Sequence, residues 1–147
     1  MPRDHFELIG DAVANFLPST LRSFTTNISS RNLKLWYGED DAEHYEVQIL
    51  GPTSRPRGLE IGFHAEHREP SKNDEILGRL SKREKTWRRA LGPDAEAGKF
   101  LGSQSPWRRL SEVWKGAGLL SEEAGIEAAE RLAQYVRSLE PLRVAKK

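Results

Sequence analysis

Across residues 4–17 the apolar side chains fall at Phe6, Ile9, Val13 and Phe16/Leu17, the spacing of one helical face, and Pro18 ends the pattern. The spacing predicts an amphipathic helix with one buried stripe. The period then drops to two. Phe24, Thr26 and Ile28 alternate with Thr25 and Asn27 in a β-branched stretch that suits a short edge strand. Residues 33–37, 44–50 and 59–65 each alternate in the same way, separated by the turn-forming stretches 38–41 and 51–58. They predict an antiparallel meander.

Requiring the apolar residues to share a face selects a register in which Leu33 lies opposite Val47 and Phe63, Leu35 opposite Tyr45 and Ala65, and Ile49 opposite Ile61. The other face then carries two cross-strand rows, Lys34–Glu46–His64 and Trp36–His44–Glu66. Opposite charges lie side by side there, which predicts an ordinary solvent face.

Helical spacing returns after Pro70. Ser71 to Asp74 resembles a capping sequence, and Ile76/Leu77, Leu80, Trp87 and Leu91 predict one helix closed by Gly92-Pro93. Residues 94–118 fit either a strand over 107–114 or a helix opened by Ser105-Pro106. A final helix is expected from Ser121 as cap, with Ile126, Ala129, Leu132/Ala133, Val136 and Leu139 as its buried stripe and Pro141 as its end. The expected fold class is α+β, a three- to four-stranded antiparallel meander with helices packed on one face. A single domain over 1–141 and a short basic tail over 142–147 complete the expectation.

At 147 residues, 37% hydrophobic and 31% charged, the chain is long enough for one core. There is no cysteine, which removes disulfides, thiolate metal sites and thiol nucleophiles. No apolar run approaches the roughly 18 residues of a membrane span. The expectation is therefore a cytoplasmic protein with no membrane partner. The net charge is +1, but residues 1–78 hold 8 Lys/Arg against 13 Asp/Glu, and residues 79–115 hold 10 against 4. Such asymmetry reads either as a binding patch or as complementary halves within the fold or across a dimer.

In outline the element order is similar to the specialised secretion-chaperone fold, in which a helix, a meander, a helix, a hairpin and a final helix form a dimeric module. That likeness, in order alone and without a motif, implies a partner-binding role.

Three kinds of chemistry remain. His44, His64 and Glu46 or Glu66 share the polar sheet face, and two imidazoles with a carboxylate are what zinc or non-haem iron requires. The cations Arg79, Lys82, Arg83, Arg88, Arg89, Arg108 and Arg109, with Lys85, Trp87 and Trp107 among them, have the composition of a nucleic-acid surface but no accompanying motif. Trp36, Trp107 and Trp114 suit an interface, where tryptophan is enriched. No phosphate-binding glycine loop, serine elbow or calcium loop occurs. The expectation is a non-enzymatic, homodimeric protein-interaction module without a cofactor. Nucleic-acid binding through residues 79–109 and a metal-dependent enzyme on the His/Glu face are the alternatives.

Overall fold

The computed structural model describes residues 2–101 and 105–144. Helix α1 (Pro2–Val13) and two 3-10 turns lead into strands β1 (Thr25–Ile28), β2 (Asn32–Trp36), β3 (Glu43–Leu50) and β4 (Gly58–Ala65). Helices α2 (Pro70–Ser81) and α3 (Glu84–Leu91), strands β5 (Glu96–Lys99) and β6 (Arg108–Trp114), and helix α4 (Glu122–Arg143) follow. The strands form one antiparallel sheet in the order β1-β2-β3-β4-β6-β5. The α+β class is as expected, and residues 108–114 resolve as strand. Among the described residues no helix is long and apolar enough to cross a membrane.

All helices cover one face of the sheet, where Leu33, Leu35, Tyr45, Val47, Ile49, Leu59, Ile61, Phe63 and Leu110 are buried in a single core. Helix α4 is its spine. Leu132, Ala133, Val136 and Leu139 recur at helical spacing along its buried stripe, and Gly125 completes it where Ile126 was expected; Ile126 is 39% exposed. Gly125 is needed because a Cβ there would come within 3.0 Å of Leu8 and 3.1 Å of His5. Pro141 lies inside α4 instead of ending it. Residues 142–143 of the expected tail are part of α4, and Arg143 donates to Glu140 and Glu43. The remaining tail residues, 145–147, lie outside the described residues.

Two further expectations are corrected. The predicted single helix after Pro70 breaks at Lys82–Arg83, where the Leu80 carbonyl accepts from the Arg83 N–H at 3.0 Å and from the Trp87 indole N–H at 2.8 Å. The β2–β3 register matches the expected one, but β4 is displaced by two residues: Tyr45 faces Phe63, Val47 faces Ile61 and Ile49 faces Leu59. A shift of two preserves the faces, so the apolar set stays together. It also brings His44 directly opposite His64.

Candidate metal centre

The polar face of the sheet is not a solvent face. His44 and His64 are each 1% exposed and Glu46 is 4% exposed; Glu60 and Ser111 are buried with them. The reason lies in the part of the sequence whose period was ambiguous. Strand β6 pairs with β4 and sets Arg109 opposite His64 and Ser111 opposite Gly62. The chain leaving β5 then lays Phe100 against the His64 ring, centroids 4.6 Å apart, and Trp107 against Phe100 at 5.5 Å.

Four donor atoms converge in this layer. His44 Nε2 is 2.8 Å from Glu46 Oε1 and 3.4 Å from Glu66 Oε2, while His64 Nδ1 is 3.1 Å from Glu46 Oε1 and 3.2 Å from Glu66 Oε2. All four residues offer ligand atoms within 4.8 Å of one another. A zinc ion with bonds of about 2.0–2.2 Å to nitrogen and oxygen holds tetrahedral donors about 3.3–3.6 Å apart. The four imidazole–carboxylate separations lie at 2.8–3.4 Å, so the shorter of them must open to admit an ion.

The outward-facing atoms are already committed. His44 Nδ1 lies 2.7 Å from the Asp41 carbonyl oxygen, which can only accept, so Nδ1 carries the proton. His64 Nε2 donates to Glu60 at 3.0 Å, and Glu60 also accepts from Ser111 Oγ at 2.6 Å and Gln48 Nε2 at 2.5 Å. Asn32 Nδ2 donates to the second oxygen of Glu46 at 2.9 Å, and Lys34 Nζ stands 3.8 Å from the second oxygen of Glu66. Outer partners of this kind fix the tautomer of a metal-binding histidine and raise its basicity.

Protons can occupy the same centre. Burial alone would lower both histidines, but the hydrogen bonds that His44 donates to Glu46 and Glu66, and His64 to Glu46, Glu60 and Glu66, raise both above their ordinary values. Burial would raise the carboxyls, yet the histidines hold Glu46 far below the carboxylate range and Glu66 at about 2. Two imidazolium protons carry the same charge as one divalent ion. The ionic layer is thus equally balanced with either, and exchanging one for the other leaves its net charge unchanged.

Sequence reasoning found His44, Glu46, His64 and Glu66 but missed Glu60. Its even spacing from His64 placed it on the same face all along. Arg109, assigned to a nucleic-acid surface, is buried in this layer, donating to Ser111 Oγ at 2.9 Å and to Glu96 at 3.1 Å. Arg108 pairs with Asp74, Arg88 pairs with Glu84 and lies over Trp87, and Arg79 donates to the Arg143 carbonyl. Lys82, Arg83 and Arg89 are exposed. The three tryptophans do not form one patch. Trp114 packs against the helix-side core and donates to Glu112, Trp107 is 37% exposed on the opposite side, and Trp36 is half-buried. No protein-family model, no curated protein and no solved structure matches this chain.

Proposed function

We propose that the chain is a metal-binding protein whose centre holds one divalent first-row ion, Zn²⁺ by its donor set, on His44, Glu46, His64 and Glu66. The observation that carries this reading is the direction of the histidine protons. Both outward ring nitrogens face acceptors and keep their protons there, so an ion that displaces the two inward protons, which are donated to Glu46 and Glu66, meets lone pairs aimed at the point where these carboxylates converge. Two imidazoles and two carboxylates form a borderline-to-hard donor set that suits Zn²⁺, Co²⁺, Fe²⁺ or Mn²⁺, and a set of four donors favours the first two.

The energetic setting supports the same reading. A buried network of ionic groups contributes little net stability compared with an apolar packing of equal volume. A sheet face committed to three carboxylates and two imidazoles therefore asks for another use.

The test is elemental analysis and calorimetric titration of protein purified without a histidine tag. One equivalent of metal in the native chain, lost in the His44→Ala and His64→Ala variants, is expected. Failure to bind one equivalent of zinc, cobalt, iron or manganese after stripping and reloading overturns the assignment. The interaction-module reading draws less support, because the candidate tryptophans lie on different faces.

A further inference from the structure

Three of the four donor residues are sealed. The side chains of His44, His64 and Glu46 are at most 4% exposed, whereas Glu66 is 13% exposed and lines a cleft of about 380 Å³. The cleft brings the cations Lys34, Arg68 and Lys72 and the carboxylates Asp40, Asp41 and Glu69 around Glu66. Lys72 pairs with Glu69 at 3.5 Å and Lys34 stands beside Glu66, while Arg68 is exposed and has no ion-pair partner among the described residues. Solvent therefore reaches the donor set through its Glu66 side, past a guanidinium free to engage an anion.

Resting on the metal-binding reading above, we propose that Glu66 is the exchangeable ligand and that the cleft admits a small oxyanion, a carboxylate or sulfate-like group, to the metal beside it. The incoming oxygen forms a bond to the ion as the bond to Glu66 Oε2 breaks. The released carboxylate keeps Lys34 as its counter-ion, and Arg68 holds the entering anion by charge-assisted hydrogen bonds, for which a guanidinium is well shaped. The other three donors stay in place because their outer atoms are held by Asp41, Glu60 and Asn32.

The test uses the full chain loaded with Co²⁺, whose visible absorption is intense in tetrahedral surroundings and changes when a ligand is exchanged. Sodium acetate and sodium sulfate are titrated separately at ionic strength held constant with perchlorate. A saturable spectral change at one anion per cobalt is expected, with half-saturation raised at least tenfold in Arg68→Ala and cobalt stoichiometry unchanged. Glu66→Ala should bind cobalt more weakly and recover tetrahedral absorption when acetate is supplied. A full cobalt spectrum that neither anion alters, or an anion response indifferent to Arg68→Ala, overturns this inference and leaves the metal centre standing. Absence of any cobalt spectrum overturns this inference, and the metal-binding reading falls with it when zinc, iron and manganese also fail to bind.

Discussion

Glu60 and His64 lie four residues apart on one strand, yet Glu60 Oε2 accepts from His64 Nε2 at 3.0 Å across the bare backbone of Gly62. Residues at this spacing sit roughly 13 Å apart along an extended chain. Their side chains meet because the intervening residue on that face has none. Glu60 thereby turns Nδ1 of His64 toward Glu46 and Glu66, where the proposed metal centre lies.

Glu60→Leu should weaken zinc binding by about 10- to 100-fold, the usual effect of losing an outer partner. Glu60→Gln, which keeps an acceptor for the histidine proton but not the charge, should fall between this variant and the wild type. Titration against a competing chelator measures both, with circular dichroism to check the fold.

A side chain at position 62 has no room. An added Cβ would lie 2.5 Å from the Leu110 carbonyl oxygen and 2.5 Å from Ser111 Cα, both backbone atoms of β6. Gly62→Ala should destabilise the protein by about 1–3 kcal/mol through overpacking. Urea denaturation reads the loss, which should come with weakened metal binding because β6 carries Ser111.

The metal-free and metal-loaded proteins should respond to alkali in opposite directions. His44 and His64 have folded-state values above 6.5, so their contribution is fully present below about pH 6.5 and is lost as pH rises through the raised values. Glu46 and Glu66 have folded-state values below 4.5, so theirs is present above about pH 4.5 and is lost as pH falls. The metal-free protein should be most stable between these limits. With zinc in excess, stability should instead rise from pH 5.5 to 7.5, because protons compete with the ion for the same nitrogens. Thermal melts across this range, with and without zinc, separate the two behaviours.

On the helix side, Glu112 accepts from Arg131, from Tyr135 at 2.7 Å and from Trp114 at 2.8 Å, and Arg131 also donates to the Leu91 carbonyl. This cluster ties β6 to α4 and to the end of α3. Arg131→Met leaves Glu112 buried without its cation and should cost about 2–4 kcal/mol, below the full range for a buried pair because Arg131 is 18% exposed. Adding Glu112→Leu should restore part of the loss, and a double-mutant cycle by chemical denaturation measures the coupling.

Which side chains share a face was legible because alternation fixes parity: Leu33, Val47, Ile61 and Phe63 are on one side and His44, Glu46 and His64 on the other. The β3–β4 register was not, since a two-residue displacement keeps every side chain on its face and the eight-residue connection 51–58 does not pin the pairing. The break at Lys82–Arg83 left no trace because neither residue is a glycine or proline. The burial of the polar face was hidden for a different reason. It depends on β6 joining the far side of β4 and on Phe100 reaching His64, both long-range arrangements supplied by a segment without a clear period.

Strand β4 is buried along its whole length, facing hydrocarbon on one side and ionic groups on the other. Mispairing by a single residue would drive Glu60 and His64 into oil while forcing Ile61 and Phe63 among carboxylates, a penalty on both sides at once. The ionic layer thus acts as negative selection during folding: with or without an ion, it makes the wrong alignments of the central strand costlier than an apolar-and-wet sheet would.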